Sequence, residues 1–160
     1  MSPPAASTAP MQREVTISRL IAAPRDLVFK AWTDPAHLAR WWGPRGFSNP
    51  VCEVDARVGG ELRIVMRGPD GTDYPMRGVF REVVAPERLV FTNSPVDADD
   101  RPLLDALTTV TFADEGGKTR VTVVMRATGL APVAARMLDG MEMGWTQSID
   151  RLEGYVASLV

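Results

Sequence analysis

The chain has 160 residues, 45% apolar and 24% charged, with Lys+Arg 18 against Asp+Glu 20 for a net charge of −2. This length favours one domain, and the near-average composition excludes collagen-like, disulfide-scaffold and wholly disordered chains. The charge balance argues against an electrostatic nucleic-acid binder, which needs a basic face to neutralise phosphates.

Residues 1–12 mix Pro, Ala and Ser with almost nothing to bury and read as a disordered tail, leaving 13–160 as a single folded domain. The opening residues lack the charged start and apolar run of a secretory signal, and no stretch approaches the ~18 apolar residues of a membrane helix. A cytoplasmic protein without a membrane span is therefore expected. From Glu14 to Ala22 the chain alternates, with Val15, Ile17 and Ile21 on one face and Arg19 breaking the row, a strand pattern. Pro24 then suits a first helical position, Asp26 complements the helix dipole, and Leu27, Val28, Ala31 and Trp32 recur at helical spacing. A second short helix starts at Asp34-Pro35, carries Leu38, Trp41 and Trp42 on one side, and must stop by Gly43-Pro44.

From Phe47 to about Arg126 strands alternate with turn chemistry at Gly59-Gly60, Pro69-Asp70-Gly71, Ala85-Pro86-Glu87 and Glu115-Gly116-Gly117. Leu62, Ile64 and Met66 oppose Glu61, Arg63 and Arg67; Val121, Val123 and Met125 oppose Arg120 and Thr122. Ser94 to Leu107, rich in Asp, is too long for a tight hairpin and reads as a lid or mobile loop. Pro132 opens a long amphipathic helix whose stripe is Val133, Met137, Met141, Trp145, Ser148/Ile149, Leu152 and Tyr155/Val156. Gly140, Gly144 and Gly154 interrupt it, and Gly144 beside Trp145 suggests a close approach of strand backbone or ligand. The order is α+β: a curved antiparallel sheet of about seven strands wrapped around a C-terminal helix, with two short helices after the first strand. Mismatched curvature of helix and sheet would leave a cavity between them.

Catalytic constellations are sparse. His37 is the only imidazole and sits just after a helix cap, the place of a surface histidine. Cys52, within Val51–Val54, reads as a small buried hydrophobe, and a lone Cys with a lone His builds no structural zinc site. The Asp97–Asp100 run lacks the Gly and terminal Glu of a calcium loop. Gly43-x-x-Gly46 and Gly68-x-x-Gly71 have neither the spacing nor the strand-to-helix context of a phosphate loop. No catalytic, cofactor or metal residue is assigned.

What remains is an apolar wall. Leu62, Ile64 and Met66 would face Met137, Met141 and Trp145; Met76, Phe80 and Phe91 share the inner parity; Trp42 and Phe47 would close one mouth. The same side chains also read as plain core. Ser148 adds a polar point, and Arg19, Asn93 and Thr108 are possible polar contacts; Arg19, if inward, must meet an acid from a neighbouring strand or a ligand carboxylate.

Several segments resemble the helix-grip (START-like, SRPBCC) superfamily, and within it the family of the activator of the heat-shock-protein-90 ATPase, in its bacterial single-domain form. They are Ala23-Pro24 through Val28–Pro35, Leu38–Pro44 with its Trp-Trp-Gly-Pro, Val58-Gly59-Gly60, Met66–Gly71, Pro86–Thr92, and Gly144–Leu152 with Gly-Trp-x-x-Ser. The resemblance spans 14–157 and implies a deep apolar cavity under the C-terminal helix, together with roles from ligand carriage and stress response to cyclase-like chemistry and chaperone stimulation. The named activator carries a separate N-terminal chaperone-binding domain, whereas here a short tail precedes the first strand, which speaks against a chaperone partner. The expected function is binding of a small apolar or amphipathic ligand, lipid-like or aromatic, without a cofactor. A cyclase- or hydrolase-like enzyme using the same cavity is the alternative, and a homodimer the default assembly.

Overall fold

The computed structural model describes residues 11–160. Its elements run β1 (Gln12–Ile21), α1 (Arg25–Thr33), α2 (Pro35–Trp41), β2 (Ser48–Val54), β3 (Glu61–Arg67), β4 (Asp73–Val84), β5 (Arg88–Pro95), β6 (Leu104–Glu115), β7 (Lys118–Gly129) and α3 (Ala134–Ala157). The strands form one antiparallel sheet in the order β1-β7-β6-β5-β4-β3-β2. This is the α+β helix-grip architecture expected from the sequence. The strands joined by short turns pair with their sequence neighbours. β1 and β2, separated by α1 and α2, lie on opposite edges, and the helices cover the inner face.

Local chemistry accounts for most boundaries. The Asp34 side chain accepts the Ala36 N–H at 2.9 Å with Pro35 in the first turn of α2, so one residue caps while the next suits the helix. Pro24 lies one position outside α1, which begins at Arg25, with Asp26 and Lys30 complementing the dipole at its two ends. The inner face of the sheet buries Leu62 and Ile64 of β3, Met76 and Phe80 of β4, Phe91 of β5 and Val121, Val123 and Met125 of β7. Under α1 and α2 an aromatic cluster fills the core. Trp32 lies edge-on to Trp41 at 4.7 Å and stacks at 6.1 Å on Trp145, and Phe29 meets Phe112 at 5.2 Å.

Several boundaries differ from expectation. The expected tail lies outside the described residues except for Met11 and Gln12, and Gln12 already pairs with Thr128 as the start of β1. The expected loop Ser94–Leu107 is shorter than read: β5 continues to Pro95 and β6 starts at Leu104, which leaves 96–103 as the connection. The remaining connection is pinned by a Val96–Pro102 bridge and by Asp97, whose carboxylate accepts the Asp99 and Arg101 N–H groups at 2.8 and 2.9 Å. In α3 the buried row is Ala134, Leu138, Met141, Trp145, Ser148/Ile149, Leu152 and Val156. Val133 precedes the helix and is exposed, because residues 131–133 form a turn before the first helical residue.

Gly140 and Gly154 face open space, with nothing within 4 Å of where a Cβ would sit. Gly140→Ala and Gly154→Ala should each add about 0.5–1 kcal/mol by lowering the entropy lost on forming the helix. A higher urea midpoint at unchanged slope is the expected reading; a lower midpoint at either position would refute the open environment.

Candidate functional site

The close approaches of α3 are to β1, β7, α1 and α2, at one side of the sheet. Between α3, seated there, and the curved β3, β4 and β5 a wedge remains, a pocket of about 200 Å³. Met137, Met141, Gly144, Trp145 and Ser148 of α3 form one wall. Trp42, Gly43 and Pro44, leaving α2, form a second, and Met66, Tyr74–Met76, Asn93, Pro95, Leu104 and Met125 supply the sheet side. Drug-sized pockets run to roughly 300–1,000 Å³, while an apolar cavity of roughly 150 Å³ already admits benzene. The space suits a compact molecule. Two larger depressions, about 370 and 490 Å³, lie among exposed charged residues such as Arg77 and Asp100, or Asp55 and Arg57.

Of the residues expected at a cavity, the fold gathers Trp42, Met66, Met76, Met137, Met141, Trp145, Ser148 and Asn93 around this space. Leu62, Ile64, Phe80 and Phe91 face inward but lie outside the lining. Phe80 and Phe91 pack on each other at 5.7 Å, and Phe91 meets Trp42 and Trp32 at 6.5 Å, so aromatic rings already occupy their side of the sheet. Phe47 sits one layer out, against the exposed Tyr74 at 5.9 Å. Residues not anticipated include Pro44, Tyr74, Leu104 and Met125. Met125 is legible in the sequence as the inward end of the Val121/Val123 alternation. Leu104 is not, because its strand begins inside the acidic segment that reads as a loop. A Cβ at Gly144 would lie 3.8 Å from Pro44, an ordinary contact, so no strand backbone demands glycine there.

Among the described residues no lining side chain carries a formal charge. The polar groups are few and deep. Asn93 is 6% exposed; its Oδ1 accepts the Thr108 hydroxyl at 2.8 Å, and among the described residues its Nδ2 reaches only the Met125 sulfur, at 3.8 Å. Thr108 is buried behind Asn93 rather than in the lining. The Trp145 indole N–H donates to that same sulfur at 2.9 Å. Ser148 donates back to the Gly144 carbonyl at 3.0 Å.

Arg19 does not reach the pocket, which corrects the expectation of a strand acid or a ligand carboxylate as its partner. It meets Asp150 at 2.8 Å and Glu153 at 3.0 Å, both on α3, because β1 is the edge strand beneath that helix. Bonding to Asp150 raises the Arg19 guanidinium above its ordinary value, and the same bond holds Asp150 below the usual carboxylate range. Nearby, Arg151 donates from one nitrogen to the Trp42, Gly43 and Pro44 carbonyls at 3.0, 2.9 and 3.0 Å. It thus satisfies orphan carbonyls at the exit of α2 and ties the Trp42–Pro44 wall to α3; burial lowers its pKa.

His37 Nδ1 lies 2.5 Å from the Tyr155 hydroxyl, outside the lining. The half-buried Cys52 packs against the core, and burial pushes its thiol up to about 11, leaving little thiolate at neutral pH. No helix among the described residues is long and apolar enough to cross a membrane.

Comparison with known proteins agrees with this architecture. No protein of curated function matches the chain. Among solved structures, a protein of Chromobacterium violaceum is 30% identical, with a TM-score of 0.74 over 88% of this chain and 94% of the other. A Nitrosomonas europaea protein is 29% identical, with a TM-score of 0.72 over 91% and 94%. The AHSA1 protein of Silicibacter pomeroyi is 25% identical, with a TM-score of 0.77 over 92% and 100%. The family model described as Activator of Hsp90 ATPase homolog 1-like protein matches residues 22–157, from the end of β1 through the last residue of α3, and the chain belongs to that family.

Proposed function

We propose that this domain binds a small apolar or amphipathic molecule between the sheet and α3, acting as a ligand-holding module in the cytoplasm rather than as a catalyst. The observation that carries the reading is the pocket: a solvent-connected apolar space walled by five methionines and two tryptophans, with no titratable acid or base positioned in it except the exposed Tyr74. Flexible thioethers adapt to varied apolar shapes, which suits binding without a fixed reaction geometry. Trp42, Met66, Met76, Met137, Met141 and Trp145 are the proposed ligand contacts, with Asn93 and Ser148 as the polar points.

A thermal-shift screen with compact aromatic and alicyclic compounds tests this. A true ligand at 100 times its Kd adds about 2.7 kcal/mol, which raises the midpoint by about 5–10 °C in a chain of this size. Failure of every compact apolar compound to stabilise the protein would reject the reading.

A further inference from the structure

The pocket holds an imbalance between donors and acceptors. The Asn93 amide oxygen accepts the Thr108 hydroxyl at 2.8 Å, which turns the N–H edge of the amide towards the pocket. That leaves two N–H donors on a residue that is 6% exposed, and their contact among the described residues is a thioether at 3.8 Å. The indole N–H of Trp145, a residue 8% exposed, points at the same Met125 sulfur from the opposite wall. Thioether sulfur is a weak acceptor, so donors from β5 and α3 converge on one poor partner. Buried donors are normally matched by oxygen. The Met125 side chain is unbranched and flexible enough to give way.

From this geometry we infer that the ligand is a neutral, compact molecule carrying one strong acceptor oxygen on an apolar body, a ketone, amide or sulfoxide, with the oxygen taking the place of the Met125 sulfur between Asn93 and Trp145. The inference rests on the ligand-binding reading above and narrows it to a chemical class. A carbonyl oxygen has two lone pairs and accepts both N–H groups at once. Charge is selected against: with no cation in the lining, a buried carboxylate would be unpaired. Asn93 is then the specificity-determining residue, and Thr108 is a positioning residue that keeps the amide's N–H edge turned to the ligand.

Acetophenone and α-methylstyrene differ by C=O against C=CH2 on the same frame, and benzoate adds the charge. Titrating each into the wild-type protein, with 1H–15N spectra of the Asn93 amide and the Trp145 indole, separates the outcomes. The expected result is that acetophenone binds about tenfold tighter than α-methylstyrene and shifts both resonances, while benzoate does not bind. In Asn93→Leu combined with Thr108→Val, which removes a mutually bonded pair together, the preference should shrink to what the remaining Trp145 N–H supplies, while the hydrocarbon still binds. The wild-type comparison stands by itself if that variant does not fold. Equal affinities, or a preference for the hydrocarbon, would overturn the acceptor inference and leave the apolar pocket standing. Benzoate binding as tightly as acetophenone would overturn the requirement for neutrality. No binding of any probe up to its solubility limit would overturn both this inference and the ligand-binding reading.

Discussion

Gly78→Ala should lower stability by more than about 3 kcal/mol, a drop of roughly 6–12 °C in the thermal midpoint. Gly78 lies in β4 opposite Leu62 of β3, and on its other side a Cβ would sit 1.8 Å from the Thr92 carbonyl oxygen of β5. No side-chain rotation relieves that overlap, because both partners are backbone. The ladder is irregular here: Gly78 and Val79 are unpaired with β5 between the Arg77–Ser94 and Phe80–Phe91 pairs, a register shift follows between Phe80 and Glu82, and the Val79 N–H is satisfied by the Thr92 hydroxyl at 2.9 Å instead. Forcing the strands apart also displaces Asn93, the next residue along, so ligand stabilisation should fall in the same variant. Differential scanning calorimetry decides the first part. A midpoint within about 2 °C of the parent would show that the bulge has slack, and Gly140→Ala, which meets open space, is the matched control.

Trp41→Ala should cost about 3–5 kcal/mol, a large share of a typical domain's stability. The residue is fully buried at the end of α2, edge-on to Trp32, and its indole N–H donates to the Ala31 carbonyl at 2.9 Å. That carbonyl has lost its ordinary helical partner, since the residue four positions on is Pro35, which has no N–H. Trp41 therefore supplies the donor that Pro35 removes, and it joins α1 to α2 while filling the core beneath them. Trp41→Phe keeps most of the ring but leaves Ala31 unpaired, and should cost about 1–3 kcal/mol. Urea unfolding followed by far-UV circular dichroism measures both; a loss below about 1 kcal/mol for the alanine variant would contradict this account.

The elements are largely legible in the sequence because their causes are local. Asp34-Pro35 marks a helix start wherever it is placed, and the alternation at Val121–Met125 or Leu62–Met66 identifies an inner face without knowledge of the partner strand. Sequence and structure part where a local pattern meets a distant partner. The acidic residues near Ser94 suggest a loop, yet Ser94 and Asp105 lie on paired strands and their side chains bond across the ladder at 3.2 Å. Arg19 has the parity of the core row, but its acids come from α3, far along the chain.

The candidate site shows the same division at finer grain. Phe80 and Phe91 share parity with Met76 and Asn93, yet only the latter pair lines the pocket. Parity tells which face of the sheet a side chain occupies; it carries no information about which helix lies above it. The amino-acid order alone determined strand, helix, turn and inner face, since each depends on residues a few positions apart. Where α3 leaves the sheet, which inward residues meet open space rather than the Trp32–Trp41 cluster, and that Asn93 and Trp145 share one sulfur were decided only by the three-dimensional packing, because those contacts join segments separated by tens of residues through the curvature of the whole sheet.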